Sequence, residues 1–130
     1  MLQSIPGISP VISGHLLAAI NDPKLFKNGR SLAAWIGLTP KQIASGHQSK
    51  MVGISKRGNA SLRRHFIHGA RAVLRWSEGK DDKLNLWVQN LLSHKNANKV
   101  VVALANKLAR IAWAVLTKKQ PFVVNKMAVA

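Results

Sequence analysis

The chain has 130 residues, with 20 Lys and Arg against 4 Asp and Glu, a formal charge of +16. That length fits one domain able to bury about two-thirds of its unfolded surface, and the charge excess implies a polyanionic partner, nucleic acid before a membrane surface. Cysteine is absent, which excludes disulfides and thiolate metal sites and agrees with a reducing cytoplasm; four acids are too few for a two-metal nuclease centre.

In chain order, Ile5-Pro6-Gly7-Ile8-Ser9-Pro10 reads as a tight turn opening a helix, with Ile12, Leu16, Leu17 and Ile20 at helical spacing. Two readings fit the element spanning residues 5–20. It resembles the hairpin of helix-hairpin-helix modules, whose amides, here at Gly7, Ile8 and Ser9, bind phosphates at a helix N-terminus. It also fits an ordinary helix start, because Ser9 replaces a second glycine and Pro10 lacks an amide donor. Asp22-Pro23 then supplies an N-cap and first-turn proline for a short piece carrying Leu25 and Phe26. Asn28 or Gly29 turns the chain into a helix with Leu32, Trp35 and Ile36 inward, ended by Gly37; Trp35 reads as core.

Residues 39–58 form a polar, Lys-rich stretch opened by Thr39-Pro40, with room for a loose hairpin through Met51, Val52 and Ile54. A long polar connection in a small domain is usually functional or disordered. Lys41, Lys50, Lys56 and Arg57 line it, Gly46, Gly53 and Gly58 permit close approach to a phosphate, and Ser45, Ser49 and Ser55 offer hydroxyls. A turn serine is ordinarily a local hydrogen-bonder.

The pattern predicts a helix over 59–76 capped by Asn59. Steps of about 100° put Leu62, Phe66, Gly69, Ala70 and Val73 on one side and Arg64, His68, Arg71 and Arg75 on the other. Arginines at i, i+7 and i+11 set guanidinium forks along a line suited to backbone phosphates; Arg63 lies off that stripe, towards the loop. His65 and His68 stand three apart without a third ligand, so no metal site is assigned.

Two further helices are expected within 83–118. Leu84, Trp87, Val88 and Leu91 form one stripe; Val101, Leu104, Leu108, Ile111, Ala112 and Val115 form the next, with Lys99, Lys107 and Arg110 elsewhere. Phe122 to Val124 are expected to pack back as an extended piece. The longest apolar run, VVVALA, is bracketed by Lys99 and Lys107, and no membrane span or signal peptide is read. The fold expected is a single all-α domain over 1–130 with an irregular basic loop at its middle.

The strings IPGISPVISGHLLAAI and FKNGRSLAAWIGLTPKQIASGHQSKMVGISKRGNASLRR, in that order, resemble the C-terminal domain of DEDD-type insertion-sequence transposases, in which an acidic RuvC-like N-terminal domain precedes a helical one and a bridge RNA guides the reaction. The likeness is close from Ile5 to about Ala72 and extends to the later helices in character only. It implies that Ser45, before Gly46, is the nucleophile joined to a DNA phosphate, with Ser55 in reserve, and that Lys50, Lys56, Arg57, Arg63 and Arg64 hold phosphates. It further implies Mg²⁺ in a RuvC-like domain outside these residues, so that the chain is a fragment or truncated product. Its partners would be DNA, a guide RNA and other copies of the protein, and exposure of Trp76 or Trp87 would mark a contacting face. The alternative is a non-catalytic DNA- or RNA-binding module of helix-hairpin-helix type, in which every serine is structural.

Overall fold

A computed structural model describes residues 2–20, 22–38 and 56–123, with backbone only for 56–59. Ser45, Gly46, Lys50, Ser55 and the expected hairpin lie outside the described residues, as do the side chains of Lys56 and Arg57. The described residues contain five α-helices and no strand, in agreement with the all-α expectation. They are α1 (Pro10–Ala19), α2 (Gly29–Ile36), α3 (Lys56–Arg75), α4 (Lys83–Leu92) and α5 (Ala97–Lys118), with 3-10 turns at Leu2–Ser4 and Pro23–Leu25.

The helices start where polar caps stand. Ser9, Asn28, Asp82 and Asn96 each accept a backbone N–H two or three residues into the following helix, and Asp22 does the same for the second 3-10 turn. One start differs from expectation: α3 begins at Lys56, so Asn59 lies inside the helix. A polar cap is worth about 1 kcal/mol, a margin that does not fix a helix end when the preceding residues also accept helical geometry.

The core is organised around α5, which packs against α2, α3, α4 and both 3-10 turns. Its stripe Val101, Leu104, Leu108, Ile111, Ala112 and Val115 is buried as the spacing predicts. By length and composition α5 could cross a membrane, but 56% of its apolar window is buried against the rest of this chain, as in the central helix of a core. Trp35 is core, its ring centroid 5.4 Å from that of Phe26. Leu17, expected on the inner face of α1, is exposed, and Ile8 is buried in the same cluster as Ile12, Leu16 and Ile20. After α5, the Phe122 N–H donates to Ser4 Oγ at 2.7 Å, and the Phe122 ring packs partly buried on the core.

Lys107 departs from the pattern. At about 100° per residue it lies roughly 90° from the middle of the α5 stripe, yet it is 4% exposed, with Nζ 4.8 Å from the centre of the Trp87 ring. The long aliphatic stem packs like a hydrophobic residue and the ammonium faces an aromatic π-cloud. Burial, with a smaller effect from Arg110, moves its pKa below the ordinary lysine value.

Candidate nucleic-acid interface

Helix α3 has the two faces its sequence requires. Leu62, Phe66, Gly69, Ala70 and Val73 are buried, and Arg63, Arg64, His68, Arg71 and Arg75 are exposed. The acids are placed elsewhere: Asp22 and Asp82 serve as caps, and Glu78 and Asp81 lie in the turn after α3. The outer face of α3 is therefore a cationic strip about three turns long from Arg64 to Arg75, with long side chains able to follow a phosphate backbone.

The turn before α1 lies against the inner side of that helix. Gly7 has φ +86, a left-handed conformation that L side chains rarely adopt, and a Cβ there would stand 2.8 Å from the Gly69 carbonyl oxygen. A Cβ on Gly69 would in turn collide with the Gly7 carbonyl oxygen. Turn and helix thus meet backbone to backbone. Within the turn the Ile8 N–H donates to Ile5 O at 3.1 Å, and Ser9 Oγ accepts from the Ile12 N–H. These bonds are those of a helix start. The amide of Ile8 is committed, and a 3-10 turn, Leu2–Ser4, stands before the turn in place of a full first helix.

The base of the 39–55 segment is fixed on both sides. At the end of α2, Gly37, at φ +90, donates its N–H to Ala34 O, and Leu38 donates to Ala33 O, the pair of bonds of a Schellman ending. Leu38 is buried, and its carbonyl accepts from Asn106 Nδ2 of α5 at 3.1 Å. A Cβ built on Gly37 would lie 3.4 to 3.5 Å from Arg63 Cδ and Nη1, so the guanidinium of Arg63 stands over the point where the segment leaves the core. The segment ends at Lys56, where α3 begins. Of the residues assigned to phosphate contact, Arg63 is thereby at the mouth of the segment, and Arg64, Arg71 and Arg75 continue the cationic face along α3.

One pairing has no signal in the sequence. His65 on α3 meets His15 on α1, Nδ1 to Nδ1 at 3.1 Å, with ring centroids 5.0 Å apart in an edge-to-face arrangement. Its partner is His15, fifty positions away, rather than His68. With both rings neutral, one Nδ1 donates and the other accepts. Burial, then His15, Arg64 and His68, hold the His65 pKa below the ordinary histidine value. A histidine whose folded pKa is depressed contributes stability that is present above the unfolded value, about 6.5, and is lost as pH falls through the folded pKa. The melting temperature is therefore expected to drop as pH falls below neutrality, and His65→Gln to flatten that drop; an unchanged slope would exclude the pair as its source. Asp82 acts in a lower window. Burial alone would raise its pKa, but hydrogen bonds from Asn85 and the charge of Lys80 hold it below the usual carboxylate value, so its contribution is lost at more acidic pH.

No group of three or more His, Asp or Glu residues gathers at a metal-binding distance among the described residues.

Among the described residues, a helical core bears one cationic face, an arrangement that suits a polyanion. The chain belongs to the Transposase IS116/IS110/IS902 family, whose model matches residues 1–84. It is 46% identical over 118 residues to a probable family 20 transposase of Pseudomonas aeruginosa, an alignment covering 91% of this chain and 35% of that protein. It is 45% identical over 121 residues to the transposase for insertion sequence element IS1111A of Coxiella burnetii, covering 93% of this chain and 33% of that protein. A pilin gene-inverting protein of Moraxella bovis is 31% identical over 126 residues, covering 94% of this chain and 38% of that protein. The chain thus spans about a third of the length of these relatives. No solved structure matches it.

Proposed function

We propose that this chain is the part of an insertion-sequence transposase that holds DNA and supplies an attacking serine, Ser45. The observation that carries the reading is the strip of exposed arginines on α3, Arg64, Arg71 and Arg75, with Arg63 off that strip and over the root of the segment bearing Ser45. A serine hydroxyl is a weak nucleophile and needs positive charge and in-line placement at phosphorus. Arg63 stands at the mouth of the segment, Arg64 follows it on α3, and Lys50, Lys56 and Arg57 belong to the segment or to its exit. Arg71 and Arg75 then hold flanking DNA, with Gly7 and Ser9 of the first turn, but not the committed Ile8 amide, as a secondary contact.

In this reading Ser45 Oγ forms a bond to phosphorus as the bond to one strand oxygen breaks, and that oxygen leaves with a proton. One phosphate ester replaces another, so a strand hydroxyl can later displace the serine and rejoin the DNA. The acids for Mg²⁺ come from a RuvC-like domain outside this chain, the guide RNA shares the cationic surface, and several copies assemble to bring two DNAs together. The likeness to a pilin gene-inverting protein supports a role in DNA rearrangement.

The test uses the full-length transposase with guide RNA, Mg²⁺ and end-labelled DNA. A denaturation-resistant protein–DNA adduct is expected from the wild type and from Ser55→Ala and is expected to vanish in Ser45→Ala, with DNA affinity unchanged within about twofold, since one hydroxyl adds little to a charge-dominated interface. An adduct that survives Ser45→Ala removes the assignment. Absence of an adduct in a complex that binds both nucleic acids leaves a non-catalytic binding module.

A further inference from the structure

Beside the end of α3 lies a cleft of about 400 Å³, walled by Pro6 and Gly7 of the first turn, Val73 and Trp76, Lys80, and the Asp82–Asn85 cap of α4. It lies in the range of roughly 300–1,000 Å³ typical of small-molecule sites. Its walls are held. Gln89 Nε2 donates to the carbonyls of Ser77 and Lys80 at 2.6 and 2.8 Å, fixing the turn that carries Lys80, and the Gly7–Gly69 contact fixes the opposite side.

Trp76 is the unusual member. Of the four tryptophans, Trp35 is buried, Trp87 is covered by Lys107, and Trp113 is half-buried with Nε1 donating to Pro23 O at 3.1 Å. Trp76 is 67% exposed, at the end of the cationic strip and next in sequence to Arg75. An open indole beside an ordered cleft offers a flat face of the kind on which unpaired bases stack. Lys80, in the cleft wall, supplies charge for an adjoining phosphate, and Arg75 follows on the helix beside Trp76. Asp82, at the cleft wall with both oxygens accepting from Asn85, carries a negative charge that repels phosphate and keeps the backbone outside.

We propose that this cleft receives an unpaired base of a single DNA strand, stacked on Trp76, with the adjoining phosphates on Lys80 and Arg75. The inference rests on the nucleic-acid reading above and adds that part of the surface discriminates unpaired from paired DNA. A second copy of the chain is the competing occupant of an exposed tryptophan, but docking two such faces would bring their arginine strips together at a net charge of +16 per chain.

The experiment measures affinities of the 130-residue chain for a short labelled DNA strand, its duplex and the RNA strand of the same sequence, at one salt concentration. Trp76→Ala is expected to weaken the DNA strand about tenfold, in line with the loss of one stacked base, and to change the duplex by less than about twofold; Trp76→Phe, which keeps a stacking face, is expected to recover most of the loss. Equal effects of Trp76→Ala on strand and duplex would overturn the cleft assignment while leaving the α3 interface standing. So would an effect confined to RNA, or a change in self-association with DNA affinity intact. Failure of the wild type to bind any of the three would remove the wider nucleic-acid reading as well.

Discussion

Gly69→Ala is expected to destabilise the fold by about 3 kcal/mol or more, a large part of the 5–15 kcal/mol by which ordinary domains are stable. At most helix positions this substitution helps, because alanine is the better helix former by about 1 kcal/mol. Here the added methyl meets the Gly7 carbonyl oxygen, which belongs to a backbone that cannot swing aside like a side chain. The turn must move off the helix, and Ile5 and Ile8, both buried next to Gly7, move with it. The measurement is urea unfolding of wild type and variant. A stabilised variant would show that turn and helix are not in contact. Gly14→Ala is the control: a Cβ there meets nothing within 4 Å, so only the helix-propensity gain is expected.

Removing the α3 strip has the second large effect. Arg64→Ala, Arg71→Ala and Arg75→Ala combined are expected to reduce the slope of log affinity against log salt by about 2.7, three phosphate contacts at roughly 0.9 each on duplex DNA, and to weaken binding on the order of a hundredfold at low salt. The three side chains are exposed, so the folded structure is expected to survive. The same three changes made at Lys95, Lys99 and Lys118, also exposed but on α5 and the turn before it, separate a local interface from the effect of lost net charge. If both triple variants lose the same affinity and slope, α3 is not the contact face.

The parts of the fold that were legible in sequence are those in which one period runs long enough to average out exceptions. Six apolar positions of α5 fall in one stripe and all six are buried. The apolar and cationic sides of α3 separate as its spacing predicts, including Gly69 on the inner side. What the period does not carry is the reason for a residue: Gly69 reads as a small core residue, whereas it is the seat of a backbone contact with Gly7, sixty-two positions earlier. The His15–His65 pair is unreadable for the same reason, because no local pattern joins positions fifty apart. Lys107 was placed away from the apolar stripe, and it is nonetheless buried. Of the candidate residues, Arg64, Arg71 and Arg75 were placed on the outer side of α3 by their spacing, and they are exposed there. The cleft at Trp76 was not legible, since it is assembled from three stretches of chain that meet only in the fold.

The anchoring of Leu38 has a consequence for how this part of the chain can change. The Schellman ending, the buried Leu38 side chain and the Asn106 bond hold one end of the 39–55 segment, and the start of α3 holds the other. The entropic cost of joining those two ends grows only with the logarithm of the length between them, about 0.6 kcal/mol for each doubling. Insertions or deletions within the segment are therefore cheap for stability, whereas a change at either anchor disturbs the core itself. Selection can thus rework the length and composition of the basic segment while α2, α3 and α5 keep its two ends in place.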